Sequence, residues 1–541
     1  MKKAKRIIAL VLTAALLLLT MAVPVSAASK VDPSEGPAQR IEATLYQLLD
    51  KIVNALLKVL NFLIPGLNLG NRWPTVDSYN SPDSFYGGED EFDTEVKASS
   101  QWSVGYAYAS LLEGLDIFNG SFYMAGTLEP IEGRVPTAII DDQGVNVYAI
   151  SDGTSGIAVQ AVIDGYGLAR GDVLAIREKL ADFAAEKNII SINISVLHQH
   201  SAIDILGMGA PLVPALLKNP ALSIVGADIS RFVGGKSTEF MNNMYNVVSD
   251  AVITAVNDME TGSLYYGSVD AAEFIYDKRE PIVFDGELHR FRFDPDNEES
   301  NEIWLCEAGI HCVGFGAGTD VISADFPYYF KEHVKEVTGA DVVYVQGAEL
   351  ALTTEYDILE TESFEDKDRV KEYGSLLAER TMTIDNEIEL APVLNVKFNE
   401  VPIEVDNGIL TLAVREGLIN SIVAKDGLGY QIITEIGYME LGNKIGVVFI
   451  PGEVAPEIIW GGVVGADKSW THETWDYAPM SETAEIDKLL CFGLNNDQIG
   501  YILADNDIHS MFTENEEINA SSTKSGSTLT KAFEELIASV K

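Results

Sequence analysis

The fold of this chain is most clearly predicted by residues 172–201, which read DVLAIREKLADFAAEKNIISINISVLHQHS. Over residues 172–185, Leu174, Ile176, Leu180 and Phe183 supply the apolar positions of a helix. Residues 189–197 then alternate apolar and polar side chains, which is the period of a β-strand. A helix followed directly by an apolar strand is typical of an α/β domain.

The same mixture of patterns continues along the chain. Further strands are predicted at 145–150, 282–284, 342–346 and 444–450, and a further helix at 327–337. The Ser/Thr-rich residues 519–528 are predicted to form a loop before one last short helix. We therefore predict an α/β fold, with mixed sheets flanked by helices, in one large domain over residues 99–541.

Composition excludes several classes of function. The chain has 541 residues, of which 47% are hydrophobic, so it can form a substantial core. Lys and Arg number 37 against 82 Asp and Glu, a formal charge of −45. That charge argues against binding to nucleic acid and against electrostatic docking on anionic lipid. It favours neutral or cationic ligands, or a cation site built locally.

The N-terminus has the pattern of an export signal. Lys2, Lys3, Lys5 and Arg6 precede an apolar run over residues 7–19, and the small residues of Val25-Ser26-Ala27 follow. We expect a signal peptide over 1–27, cleaved after Ala27 or Ala28, and a secreted protein. The alternative, an uncleaved anchor, is disfavoured because a spanning helix needs ~20 apolar residues. The three cysteines, Cys306, Cys312 and Cys491, allow at most one disulfide.

Residues 28–98 are predicted to hold an amphipathic helix and an acidic linker. Apolar residues recur at helical spacing over 41–64, and Pro65-Gly66 ends the pattern. Two interpretations stay open: a helix packed on the main domain, or an interfacial helix on a membrane or micelle that carries the substrate. Residues 77–95 are acidic and rich in Ser, Gly, Asp and Asn, which predicts a linker or mobile loop.

Three of the seven histidines follow apolar runs. His198 and His200 are spaced i, i+2 directly after a predicted strand, so both imidazoles lie on one face at the strand's end. Open α/β sheets bind their ligands at such ends. His311 follows another apolar run, between Cys306 and Cys312. Each histidine is also compatible with an ordinary structural role, and spacing alone does not identify a metal site.

Eight short motifs are spread over residues 103–515. They are Ser103-Val104-Gly105-Tyr106, Met124-Ala125-Gly126, His198-Gln199-His200-Ser201, Tyr276-Asp277-Lys278-Arg279-Glu280-Pro281, Ile322-Ser323-Ala324-Asp325-Phe326-Pro327, Val345-Gln346-Gly347-Ala348, Pro451-Gly452-Glu453 and Gly493-Leu494-Asn495-Asn496-Asp497-Gln498-Ile499-Gly500-Tyr501. Each motif is weak alone. Together they resemble the neutral/alkaline, non-lysosomal ceramidases over most of the chain, without the C-terminal β-sandwich that such enzymes often carry.

The resemblance implies a zinc-dependent amidohydrolase that cleaves a lipid-like N-acyl amide into a fatty acid and a long-chain amine. The family's zinc ligands correspond to His198, His311, Glu453 and Tyr501. Imidazole and carboxylate ligands suit zinc, which lowers the pKa of water and polarises an amide carbonyl. The family's remaining histidine and arginine correspond to His200 and Arg279, which are suited to stabilise an oxyanion.

Four departures from the family pattern bear on activity. Leu197, Gln199 and Ala202 replace two threonines and a glycine in the histidine motif. Glu349 and the residues after it replace a polar Gly-Asp turn. Tyr328 replaces a glycine, and no second tyrosine occurs over residues 506–514. The alternatives are therefore a non-catalytic secreted binding or surface protein on this fold, or a hydrolase of a different amide or ester.

Overall fold

The structure is a computed structural model. It describes residues 34, 36–63, 73–127, 133–209, 236–359, 366–415, 417–427, 429–510, 513 and 517–541. The expected export signal at 1–27 lies outside the described residues, as does Ile64 at the end of the expected amphipathic helix.

Strands make up two large sheets and three short pairs. In chain order they are β1 (Trp102–Ser110), β2 (Ala138–Ile139), β3 (Gly144–Ser151), β4 (Ile157–Ile163), β5 (Ile189–Val196), β6 (Glu260–Asp270), β7 (Ile275–Asp277), β8 (Glu287–Pro295), β9 (Ile303–Ala308), β10 (Val321–Ile322), β11 (Asp341–Gln346), β12 (Leu352–Thr354), β13 (Ile388–Leu390), β14 (Leu394–Glu404), β15 (Val423–Asp426), β16 (Gly429–Leu441), β17 (Ile445–Phe449), β18 (Glu453–Val454), β19 (Lys488–Phe492) and β20 (Tyr501–Ile502).

Helices flank these sheets. Within the described residues they are α1 (Pro37–Leu63), α2 (Arg170–Lys179), α3 (Ala181–Lys187), α4 (Thr238–Asn257), α5 (Asp325–Thr338), α6 (Asp366–Met382), α7 (Gly408–Arg415), α8 (Pro456–Trp460), α9 (Met480–Thr483) and α10 (Ser525–Val540). None of the described helices is both long and apolar enough to cross a bilayer.

Both large sheets are mixed. The first has the order β11-β9-β8-β6-β1-β3-β4-β5, with β13 added to β6, and its parallel pairs are β4 with β5 and β9 with β11. The second has the order β14-β16-β17-β19, with β15 added to β16, and β17 and β19 run parallel. The predicted α/β class with mixed sheets is therefore confirmed.

The two sheets pack face to face, and helices cover their outer faces. Phe291 and Leu305 of the first sheet share one apolar cluster with Phe398, Phe449 and Phe492 of the second. Helix α4 covers the outer face of the first sheet, and α10 covers the second. This layering buries strands on both faces, which explains their nearly continuous apolar sequences.

Most predicted elements are found with small shifts of their ends. The predicted helix at 172–185 is two helices, α2 and α3, because the chain turns at Leu180. The strand predicted at 282–284 is wrong: that segment is irregular, and Val283 N donates to Asp277 Oδ2 at 3.1 Å. The last helix, α10, begins at Ser525, inside the predicted loop.

The acidic segment before β1 is irregular but lies against the second sheet. Glu89 N donates to Val396 O at 2.8 Å, and Asp93 N donates to the Asn395 side chain at 2.7 Å. The ring of Phe92 stacks on Tyr438. These contacts give a packed segment where the composition predicted a linker or mobile loop. The three cysteines are buried and unpaired.

A buried ion cluster joins α2 to the second sheet. Arg177 Nη2 lies 2.6 Å from Glu435 Oε1, and Arg170 Nη2 lies 3.2 Å from Glu435 Oε2. All three side chains are almost fully buried. Burial alone would raise the pKa of Glu435, but the charges of Arg177 and Arg170 outweigh it and lower that pKa.

We expect the substitution Glu435→Ala to reduce the free energy of unfolding by about 3–5 kcal/mol, because it leaves buried guanidinium groups without their shared carboxylate. Urea denaturation followed by circular dichroism measures the change. The control is Glu535→Ala, which removes an exposed partner of Lys531 and should cost less than about 1 kcal/mol. Equal effects from the two variants would contradict the structural importance of the cluster.

Candidate metal centre

His198 lies just beyond the end of β5, with its ring held from one side. Its φ of 61° is unusual for a residue other than glycine. Its Nδ1 lies 2.6 Å from Tyr166 O, and since a carbonyl only accepts, Nδ1 carries the proton. The Tyr166 ring stacks on the imidazole at 4.3 Å. The unprotonated Nε2 is thereby presented to the centre of the site.

His311 follows β9 and is held in the same manner. Its backbone N donates to Leu352 O at 3.0 Å, next to the start of β12. Its Nδ1 contacts the carboxylate of Glu349, which is fully buried. Nε2 therefore faces away from Glu349 and lies 3.9 Å from Glu453 Oε2.

Glu453 brings the second sheet to these histidines. It begins β18, shortly after β17, and its Oε2 lies 3.4 Å from His198 Nε2. Its Oε1 accepts a hydrogen bond from Gln498 Nε2 at 3.0 Å. Because β18 pairs with β20 in parallel, Tyr501 lies directly beside Glu453 in the register.

His200 completes a group of three imidazoles. Its ring centroid lies 4.9 Å from that of His198 and 5.3 Å from that of His311. The residue is 8% exposed, and neither ring nitrogen has a hydrogen-bond partner among the described residues. A buried imidazole without a partner is uncommon and points to a ligand.

Burial and mutual repulsion govern the charges of the site. Burial, with the nearby charge of His311, lowers the pKa of His198 to about 3. Burial, with the charge of Glu349, raises the pKa of Glu453 to about 8. Burial also opposes a charge on His311, but the carboxylate of Glu349 outweighs it and raises the pKa of His311. A cation at the centre would favour the unprotonated forms of Glu453 and His198.

These groups line one cavity of about 500 Å³. Its wall includes His198, His200, His311, Glu453 and Tyr501, so the structure brings together five of the six residues that the sequence proposed. The sixth, Arg279, faces elsewhere. Its guanidinium donates to Asp507 O at 2.7 Å and lies 3.7 Å from both Glu457 and Glu517. The adjacent Lys278 lines the cavity in its place.

The donor set fits a zinc ion. Donors at 2.0–2.1 Å from a tetrahedral ion are about 3.4 Å apart, close to the separation of His198 Nε2 and Glu453 Oε2. The groups His198–His200–His311 and His311–Glu349–Glu453 each place their ligand atoms within 4.8 Å of one another. Both candidate histidine ligands also have their Nδ1 fixed, as is usual for metal-binding imidazoles.

Four residues at the site were not assigned a role from the sequence. Tyr166 and Glu349 orient the two histidines, Gln498 orients Glu453, and Lys278 faces the cavity. The sequence pattern places Glu349 where a polar turn is lost, whereas in the structure its side chain is the buried partner of His311. The position of Glu349 just after the apolar strand β11 is the signal that could have identified it.

Known proteins were compared with this chain at the level of sequence and of structure. No family model matches it, and no curated protein matches it. The solved structures that are similar to it include two ceramidases. One, the neutral ceramidase from Pseudomonas aeruginosa, has a TM-score of 0.57 and 13% identity, covering 81% of this chain and 74% of that chain.

The second similar structure is a ceramidase complexed with C2. Its TM-score is 0.57 and its identity 14%, with 81% of this chain and 75% of that chain covered. The fold is ceramidase-like. At this identity the likeness concerns the fold alone, and the chemistry follows only from the side chains of the site itself.

We expect Glu349→Gln to weaken zinc binding about 10- to 100-fold, because removal of an outer carboxylate partner lowers the basicity of a metal-bound imidazole. Competition with a chromogenic chelator measures the affinity directly. The control is Glu332→Gln on α5, an exposed glutamate, which should leave the affinity unchanged. Wild-type affinity in Glu349→Gln would contradict this role.

Proposed function

We propose that this protein is an exported, zinc-dependent amidohydrolase that cleaves N-acyl amides of the ceramide type into a fatty acid and a long-chain amine. The observation that carries the proposal is the convergence of His198 Nε2, His311 Nε2 and Glu453 Oε2 in one cavity. The ceramidase-like fold supports the same reaction class. Export rests on the sequence of residues 1–27.

Each side chain has a distinct role in this proposal. His198, His311, Glu453 and Tyr501 would hold the ion, which would supply Lewis acidity towards the amide carbonyl and activate water. Tyr166 O and Glu349 keep the two imidazoles in one tautomer and orientation. His200 faces the same cavity with unpartnered ring nitrogens and is suited to donate to the developing oxyanion. Arg279 is occupied by carboxylates and has no part in this step.

The alternatives differ in what they require of this cavity. A non-catalytic binding protein would not need two oriented imidazoles facing a buried carboxylate, which is costly to desolvate without a partner. A hydrolase of another amide or ester would use the same site. The observed geometry therefore favours a hydrolase over a binding protein.

We expect the purified wild-type protein to contain about one zinc per chain and to release fatty acid from a fluorescent ceramide. The double substitution His198→Ala with His311→Ala should remove both the zinc and the turnover, because it deletes two ligands. Metal analysis and a product assay, each repeated after chelator treatment, measure the two effects.

The control is His333→Ala on α5, a histidine outside the cavity that pairs with Glu379. It should retain zinc and turnover. Zinc without turnover of ceramide would redirect the search to other amides and esters. A wild-type protein without stoichiometric metal would contradict the proposal.

Helix α1 offers a contact with the lipid phase. One of its faces packs on the domain through Ala43 and through Gln47, which donates to Trp470 O at 3.0 Å. The other presents an exposed, uncharged stripe made of Ile41, Leu45, Leu48, Leu49 and Ile52. The net charge of −45 disfavours anionic lipid, so we propose that the stripe contacts a neutral lipid surface that carries the substrate.

The position of α1 supports this role. Its Asn54 side chain accepts a hydrogen bond from Gly408 N at the start of α7. Leu410 and Val414 of α7 line a small apolar cavity of about 40 Å³ that Tyr166 and Glu453 also border. The lipid-facing helix thus adjoins an apolar wall next to the candidate metal centre.

We expect the triple substitution Leu45→Ser, Leu48→Ser, Ile52→Ser to weaken binding to phosphatidylcholine vesicles at least about tenfold, since it removes most of the exposed apolar area. Vesicle co-sedimentation measures binding, and cleavage of a water-soluble amide checks that the site is intact. The control is Val337→Ser on α5, another exposed apolar residue. Unchanged vesicle binding in the triple variant would contradict the contact.

A further inference from the structure

Lys278 is the single lysine or arginine among the described residues that line the 500 Å³ cavity. Its side chain is exposed, and no ion-pair partner is found for it within the described part of the chain. In a protein with 82 acidic and 37 basic residues, such a lysine is conspicuous. An unpaired ammonium group in a cavity attracts an anion.

The backbone fixes Lys278 relative to the candidate metal centre. Lys278 N donates to Ala351 O at 3.1 Å, and His311 N donates to the next carbonyl, Leu352 O, at 3.0 Å. The short strands β7 and β12 pair directly beside these bonds, and Thr353 forms a bridge with His311. One short segment after Glu349 therefore positions both residues.

The charge of Lys278 acts on the whole centre. Burial is the larger influence on His198, His200 and Glu453, but Lys278 also lowers the pKa of each of them. The same cavity wall holds His200, whose ring nitrogens lack partners although the residue is more than nine-tenths buried. A ligand that carries an anionic oxygen would give the Lys278 ammonium group the partner that it lacks among the described residues.

We infer that Lys278 is the carboxylate-binding residue of this cavity. The inference rests on the proposed function for the reaction and extends it by naming a charged group in the ligand. The bound carboxylate could come from two sources. The carboxylate belongs either to the amine part of the substrate, as in an N-acylated amino acid, or to the fatty acid that hydrolysis releases.

Matched soluble substrates distinguish these sources. N-octanoylglycine carries a carboxylate on its amine part, whereas N-octanoylethylamine has none, and both release octanoate on hydrolysis. We expect the ratio of kcat/KM for the charged over the neutral substrate to fall about tenfold or more in Lys278→Met, mainly through KM. Lys278→Arg should restore most of the ratio, because it keeps the charge.

Calorimetry with octanoate tests the second source without turnover. If the carboxylate of the product is the ligand, the Kd of octanoate rises about tenfold in Lys278→Met while the substrate ratio stays constant. The control variant is Lys531→Met on α10, an exposed lysine that pairs with Glu535. It should change neither the ratio nor the octanoate Kd.

Two results separate this inference from the proposed function. An unchanged substrate ratio together with an unchanged octanoate Kd in Lys278→Met overturns the inference, even if amides are cleaved. If the wild type cleaves no amide but the binding of octanoate or N-octanoylglycine still depends on Lys278, the carboxylate site stands and the hydrolase proposal fails.

Discussion

The loop after β19 fixes the position of one large sheet of this protein relative to the other. Asn496 N donates to Ile194 O at 2.8 Å, and Ile194 N donates back to the Asn496 side chain at the same distance. Gly493 N donates to Gln346 O at the end of β11. These bonds fix the end of β5 against the second sheet, so His198 meets Glu453 across the junction. The candidate metal centre exists because two sheets that are separate in the sequence are joined at this loop.

The cost of burying the site is a second constraint. Imidazole and carboxylate groups lie together and are buried, and burial displaces their pKa values in opposite directions. Such an arrangement is unfavourable unless a cation or a shared proton compensates. The outer partners, Tyr166 O for His198 and Glu349 for His311, prepare the ring nitrogens for a cation.

Four of the side chains that depart from the ceramidase motifs make structural contacts in this chain. Leu197 belongs to the core between the sheets. Gln199 is fully buried, and its Nε2 donates to Asp164 Oδ1 and Ala324 O, both at 3.3 Å. Tyr328 packs at the edge of the same core. Glu349 supplies the carboxylate that orients His311. Each of these four side chains therefore has a defined contact in this fold.

Local sequence patterns predicted the periodic elements, whereas the candidate donor set was implied by the resemblance of short motifs. The strand before His198, the helix after Asp325 and the order of the motifs are local patterns. Such patterns can be recognised in the sequence without knowing which elements pack together. The strand predicted at 282–284 failed because a short apolar run carries no information on whether a neighbour pairs with it. Tertiary packing places Glu349 beside His311, and it places Lys278 rather than Arg279 at the cavity wall. Adjacent residues on an extended chain point to opposite sides, and which side becomes the cavity depends on packing between elements far apart in the sequence.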